Sequence, residues 1–446
     1  MQNNPIQTLK SICLLAVPIV GTFLSQKAIQ VTNTFMLGHI SVTALAAGSL
    51  FMSFYMLLIV INMGLFNAVN IVISRKSGAN ESVQKHFAQG VYIAIFASVP
   101  FILCTWFLPI ILRFMPKYAE IADTTLQLSR AASFGIPGTL FYLLLRETIT
   151  AFKRPKINWY VVLAAIPLFA FVNYYIVFIH QSGNKIVLIG YSNAFIEWFL
   201  AIGLLACIYF SDFLRTNLFS DKHFKLSFSH LFDILKIGLP NAAILALDVG
   251  MVMAAGFLAG YFGASSLSAY QIALQLTTIA YMFPIGIGFA LTTLISHQYG
   301  ARHFSEIRKI FKTGICLSMS LASCLLLVFL FFGKPLSLLF LSDLTHINEV
   351  ISYSIRFLML AGFLQLLDSG LAIMNSTLRA IGDVIVPLYC AILCYWLLGI
   401  GSILLLCFVF KIGAIGIWVG LCIGIGSAFL LLAFRVRYQL EQITLI

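Results

Sequence analysis

KIGLPNAAILALDVGMVMAAGFLAGYFGA, residues 236–264, is the stretch that decides the fold. After Lys236 its only formally charged residue is Asp248. A helix crosses a bilayer with ~20 mostly apolar residues, and this run is long enough. The chain around it has the same character. Of 446 residues, 61% are hydrophobic and 9% charged, with a mean hydropathy of +1.00 and 40 Phe. Soluble domains carry about 25% charged and about 45–50% apolar residues. No soluble core could hide so much apolar surface at this length. Cytosolic enzymes, secreted disulfide scaffolds and disordered chains are therefore excluded, which leaves an all-α polytopic membrane protein.

Twelve apolar stretches can be laid out, at 11–40, 44–74, 87–112, 124–152, 157–180, 186–211, 233–262, 266–296, 309–341, 350–380, 384–409 and 412–435. The N-terminal MQNNPIQTLK reads as the lead-in to a retained first span. Alternation of sides puts 18 basic residues, among them Lys10, Arg75, Lys153, Arg302, Lys222 and Arg435, on one side. Only Arg113, Lys117, Lys185, Lys334 and Lys411 fall on the other. That asymmetry places both termini in the cytoplasm. It also explains the net charge of +12 as topology, so no nucleic acid partner is expected. The nine cysteines all lie in apolar stretches and read as small buried hydrophobes.

A shift of 222 residues superposes irregular features of the two halves. Pro18 falls on Pro240, Gly38 on Gly260, Leu45 on Leu267, Ser74 on Ser296, and Gly78-Ala79 on Gly300-Ala301. The chain therefore reads as two six-helix lobes related by pseudo-two-fold symmetry, residues 1–211 and 233–446, joined by a cytoplasmic linker at 212–232. An even number of spans per half makes the repeats parallel, the arrangement that alternating access uses.

Charges inside the bilayer cost at least ~2.5–3.5 kcal/mol, so an embedded acid is a functional candidate. Asp248 follows Lys236 by 12 residues and Asp368 precedes Arg379 by 11. At 1.5 Å per residue both sit roughly 17 Å from the cytoplasmic edge. Two acids at one depth suit a site for a coupling cation, H⁺ or Na⁺. The alternative is that each acid bonds neighbouring hydroxyls or amides as helix glue. Gln365, Asp368 and Asn375 share a face of the tenth span, as do Gln271, Gln275 and Thr278 on the eighth. The segment Phe283-Pro284-Ile285-Gly286 that follows is a candidate kink.

In the N-terminal half, Lys27, Gln30 and Asn33 share a face of the first span. Lys27 lies too deep to snorkel easily, and Glu197 of the sixth span is its natural partner, as a structural pair or a gating pair. Glu147 follows Arg146 near the end of the fourth span, where a local pair or snorkelling accounts for both.

These residues match a known pattern. Asn33-Thr34-Phe35-Met36-Leu37-Gly38 with Ala44-Leu45-Ala46-Ala47, Ile237-Gly238-Leu239-Pro240, and Ser268-Ala269-Tyr270-Gln271-Ile272-Ala273-Leu274 resemble signatures of the multidrug and toxic compound extrusion (MATE) transporters. The likeness runs over essentially the whole chain. Asp248 stands where the bacterial NorM-like branch has a carboxylate, usually Glu, and Asp368 with Arg379 resembles its tenth-span pattern. By that resemblance the two Asp residues bind the coupling cation. Two departures stand out: many bacterial members have Asp where this chain has Asn33, and the fifth span offers Asn173 but no acid.

The resemblance implies a cation-coupled antiporter that exports small organic, often cationic or amphipathic, compounds by alternating access. Aromatic residues at 14% would bind them through stacking and cation–π contacts. Lys27, Gln30, Asn33, Asn173, Glu197, Gln271, Gln275, Gln365 and Asn375 are its candidate cavity residues. No cofactor is expected, no metal beyond Na⁺ at Asp248 and Asp368, no partner besides substrate and bilayer, and a monomer. The alternative is a lipid-linked sugar flippase of the same two-lobe architecture, which calls for a cavity rich in Arg and Lys. A membrane enzyme would need clustered His, Cys or Ser–His groups at depth, and the sequence offers none.

Overall fold

In the computed structural model, residues 5–113, 119–180, 183–219, 225–340 and 347–444 are described. Lys117 and Lys222, used above to orient the spans, lie outside the described residues. The first half forms α1 (Pro5–Gly38), α2 (Val42–Gly78), α3 (Gln84–Arg113), α4 (Ala119–Ser133), α5 (Ile136–Ala151), α6 (Pro155–Tyr174), α7 (Lys185–Phe210) and α8 (Asp212–Phe219). The second forms α9 (Phe228–Tyr261), α10 (Ala264–Gly300), α11 (Phe304–Leu338), α12 (Ile347–Ile381), α13 (Ile385–Ala391), α14 (Gly401–Leu404) and α15 (Ile415–Thr444). No strand occurs among the described residues.

Lipid offers no partner for a bare N–H or C=O, so spans in it must close their hydrogen bonds internally. Among the described residues, eleven helices are long and apolar enough to cross a membrane, and the bent pair Ile121–Ser133 and Ile136–Ala151 makes the count twelve when taken as one span. The expected all-α, twelve-span architecture is present. The fourth span is not the continuous helix expected at 124–152. It bends by 50° at Phe134-Gly135. Pro137, at the start of α5, has no N–H to continue the ladder. At Gly135 a Cβ would stand 2.7 Å from the Cα of Ala194, so only glycine lets α7 approach this close. The candidate kink at Pro284 produces no break, because α10 runs through it from Ala264 to Gly300. The fifth span ends in a π-helical turn at Tyr175–Ile179, and in the eleventh span π-helical turns at Ile392–Ile400 and Leu405–Val409 flank the single turn of α14. Wide turns of this kind are frequent at functional sites.

The internal repeat extends to the turns. After α2, the Ala79, Asn80 and Glu81 N–H groups donate to Arg75, Ser77 and Lys76 carbonyls at 2.9, 3.2 and 2.8 Å. After α10, Ala301, Arg302 and His303 donate to His297, Tyr299 and Gln298 at 3.0, 3.2 and 3.0 Å. Asn80 and Arg302 both take positive φ, 56° and 59°. A left-handed residue closing the same turn in both halves requires the same backbone path, whatever side chain it carries.

The chain divides into two compact units, Met1–Val20 with Ala243–Ile446, and Gly21–Ala242. The division falls inside α1 and inside α9, two residues after Pro18 and Pro240, helix-interior prolines one repeat apart.

Candidate functional site: a carboxylate pair with two tyrosines

Asp248 on α9 and Asp368 on α12 belong to the same unit, and their carboxylates interact through space. Tyr281 of α10 and Tyr395 of the π-helical turn interact electrostatically with both. Four elements thus deliver four oxygen-bearing side chains to one place. Both acids are half-buried and Tyr395 is buried. The Tyr395 hydroxyl approaches the Asn375 side chain, one heptad beyond Asp368 on the same face of α12. Asn375 Oδ1 has no hydrogen bond of full geometry, so it remains able to accept.

Local contacts hold these groups in register. Trp396 Nε1 donates to the carbonyl of Leu247 at 3.2 Å, pinning the π-helical turn one residue from Asp248. The Tyr270 hydroxyl donates to the Val252 carbonyl at 2.8 Å, fixing α10 against α9 one turn further on. Gln365 is buried with Nε2 unpartnered, and its carbonyl accepts from the Ser369 hydroxyl at 2.6 Å. Gln271 is exposed and Gln275 half-buried, and neither is among the groups that interact with the acids. Of the C-terminal candidates, the structure brings together Asp248, Asp368 and Asn375. It adds two tyrosines that the sequence reading missed among 17.

The other unit holds a separate polar group. Glu197 meets the Thr139 hydroxyl, and Thr139 Oγ1 lies 2.6 Å from the Tyr55 hydroxyl. Gln26 Nε2 donates to the Tyr142 hydroxyl at 3.1 Å, and Asn158 Nδ2 donates to Thr22 Oγ1 at 3.3 Å. Lys27 does not pair with Glu197: it is half-buried, and no ion pair to it occurs among the described residues. The anticipated partnership fails because the acid is met instead by the Thr139 hydroxyl of α5. Gln30 Nε2 makes only a 3.8 Å contact with Met56 Sδ. Asn33 is buried with both amide atoms unpartnered, and Asn173 uses its Nδ2 on the Phe169 carbonyl at 2.9 Å. Asn173 Oδ1 is left without a partner, as is Oδ1 of Asn158 on the same span.

Glu147 and Arg146 form the local pair read from the sequence, but they are buried rather than snorkelling. Arg146 Nη2 donates to Glu147 Oε1 at 2.8 Å, while Asn70 and Asn67 donate to Oε2 at 3.1 and 3.4 Å. The pair is thereby a neutralised structural group, unlike Glu197 or the two Asp residues. No three His, Cys, Asp or Glu side chains are arranged to hold a metal ion among the described residues. The acid pair is completed instead by phenol and amide oxygens, a donor set for a proton or a hard monovalent cation.

The MatE family profile matches the chain twice, over residues 18–176 and 240–404. The two matches begin one repeat apart, at Pro18 and Pro240. The "Probable multidrug resistance protein NorM" of Mesorhizobium japonicum is 27% identical over 96% of this chain and 93% of its own length. A protein of that description from Listeria monocytogenes is also 27% identical, over 98% and 95%. Among solved structures, a MATE crystal structure in a bent conformation superposes with a TM-score of 0.89 at 16% identity, covering 100% of this chain and 99% of that one. A eukaryotic MATE transporter, AtDTX14, superposes at 0.84 with 18% identity, covering 99% and 100%. The fold is theirs, and with a family match across most of both halves, the chain belongs to the MatE family, the multidrug and toxic compound extrusion transporters its motifs resemble.

Proposed function

We propose that this protein exports organic, often cationic, amphipathic compounds across a bacterial plasma membrane in exchange for H⁺ or Na⁺, with both termini in the cytoplasm. The carboxylate pair supports this reading. Two acids in a low-dielectric interior repel one another when both are charged, and a bound cation relieves that repulsion. A protein that relaxes differently with the pair empty and with the pair neutralised has two states for alternating access to use. Asp248, Asp368, Tyr281 and Tyr395 come from one unit of one chain, so a monomer is a complete transporter in this scheme. Aromatic side chains, 14% of the chain, offer surfaces for flat cationic substrates in this scheme. The names of the bacterial relatives, multidrug resistance proteins, point to the same substrate class.

Proteoliposomes loaded with a fluorescent organic cation test the proposal under an imposed pH gradient and then an imposed Na⁺ gradient. One gradient should drive flux against the substrate gradient, and Asp248→Asn or Asp368→Asn should reduce it to the passive leak. Undiminished gradient-driven flux in both variants would refute the assignment of the pair.

A further inference from the structure

The first two turns of α3 hold both α8 and the start of α9, the flanks of the polar segment that joins the two halves of the chain. Gln84 Nε2 donates to the Thr216 carbonyl at 3.3 Å, and Phe87 packs edge-on against Phe219 with ring centroids 5.7 Å apart. Gln89 is fully buried, and its amide works as a two-pronged clip. Nε2 donates to the Lys225 carbonyl at 3.0 Å, and Oε1 accepts the Ser227 N–H at 3.1 Å. The clip satisfies two backbone groups of a segment that has no helix of its own.

A histidine pair closes the same junction. The Ser227 carbonyl accepts the Leu231 N–H at 3.0 Å, which starts α9, and the Ser227 hydroxyl lies 2.8 Å from Nδ1 of His230. The His230 ring meets that of His86 at 72°, with centroids 4.8 Å apart. His86 is 4% exposed, and its Nε2 lies 3.6 Å from Asp233 Oδ2. Lys76 of α2 and Glu81 of the turn after it also act on His86, but they pair with one another at 2.6 Å.

This packing suits neutral rings. A charged His86 would be a buried cation whose one carboxylate, Asp233, stands beyond hydrogen-bonding distance and is 58% exposed. A charged His230 would add positive charge to the first turn of α9, where the helix terminus is already partly positive. Charging both would set two cations side by side with Asp233 to share. Imidazole ordinarily titrates at about 6.5, within reach of moderate acidification.

We propose that His86 and His230 form a pH-sensitive clasp: neutral, they hold the start of α9 and the connecting segment on α3, and acidification of the compartment they face releases both. The released state binds more protons, so the closed state weakens as pH falls through the imidazole range. On the orientation proposed above that compartment is the cytoplasm. The clasp is independent of the coupling ion, because it lies in the unit that does not hold Asp248 and Asp368.

Amide hydrogen exchange of the purified full-length chain in lipid nanodiscs tests this on residues 225–233, at pH 7.5 and 5.5, with each rate divided by the intrinsic rate at that pH. Wild type should lose protection by about tenfold or more at the lower pH, the effect of a one-unit difference in a single imidazole between the two states. The His86→Gln/His230→Gln double variant, which cannot charge, should be equally protected at both. Gln89→Ala, which removes the clip and leaves the rings, should already be less protected at pH 7.5. Equal protection of wild type at the two pH values, the same loss in the double variant, or wild-type protection in Gln89→Ala would overturn the proposal. A single elution peak establishes folding, and if the double variant fails it, the single His230→Gln variant decides by the same comparison.

Discussion

Arg146 and Glu147, consecutive on α5, form a 2.8 Å ion pair with 5% and 1% of their surfaces exposed. Adjacent helical residues do not normally face one another. They do so here because Asn67 and Asn70 of α2 draw the carboxylate across and hold its other oxygen. The Arg146 guanidinium lies 5.8 Å from the centroid of the Phe23 ring, which adds a second support. Every charge in the group therefore has partners, the condition under which burial of an ion pair is tolerated.

Removing the shared acceptor should expose that dependence. Glu147→Ala leaves the Arg146 and asparagine donors buried around a void, a loss of about 3–5 kcal/mol. A thermal melt in detergent should show a large fall in midpoint, with Glu147→Gln falling less because it keeps the shape and one acceptor. Equal midpoints for Glu147→Ala and wild type would refute a structural role.

A contact between α2 and α9 gives a second stability test. Asn241 Nδ2 donates to the Gly64 carbonyl at 2.7 Å, and a Cβ at Gly64 would stand 2.5 Å from the Cα of Ala242 and 2.7 Å from its N. Those are backbone atoms and cannot turn aside as a side chain can. Gly64→Ala should cost about 1–3 kcal/mol by overpacking, read as a lower melting midpoint and weaker expression. A variant that melts with wild type would show that the α2–α9 contact adjusts freely.

The spans and the repeat were legible because lipid imposes one rule on every segment, and because prolines, glycines and turn residues mark the same backbone events in both halves. The turn at Asn80 is repeated at Arg302 although the side chains differ, so the pattern survives where identity does not. Asp248 and Asp368 could be paired from depth alone. Tyr281 and Tyr395 could not, because an aromatic residue facing lipid and one facing an acid look alike in a sequence of this composition. The partner assigned to Lys27 failed for a related reason: periodicity gives the face of a helix, while the neighbour that takes Glu197 is a hydroxyl from another span. Only the Gly135 and Pro137 positions hinted at the bend in the fourth span, and its 50° needed tertiary contact with α7.

The hydroxyl of Tyr395 offers a graded test of the acid site. It interacts with both carboxylates and approaches Asn375, whereas the ring itself is packed and 4% exposed. Tyr395→Phe keeps the packing and removes one oxygen from the cation's surroundings. The loss of a hydrogen-bonding group is worth about 0.5–1.5 kcal/mol. The half-saturating concentration of the coupling ion should therefore rise by roughly two- to tenfold, by the same arithmetic. Maximal flux at saturating ion should stay near wild type. An unchanged ion dependence would remove Tyr395 from the site and leave it a packing residue.

Glu197 and Lys27 lie in the other unit, half-buried and unpaired with one another, and they make opposite predictions for one class of substrate. On the proposed reading an organic cation is drawn by the carboxylate and repelled by the ammonium. At about 8 Å and an effective dielectric near 20, one unit charge is worth roughly 2 kcal/mol. Glu197→Gln, which can still accept from Thr139, should weaken apparent affinity for a monovalent organic cation by roughly tenfold or more. Lys27→Gln should strengthen it by a similar factor. Neither change should move the half-saturating concentration of the coupling ion, because neither residue belongs to the unit that holds Asp248 and Asp368. A neutral substrate of equal size separates charge from shape: its affinity should stay the same in both variants. If Lys27→Gln transports cation and neutral compound as wild type does, the ammonium has no part in substrate recognition.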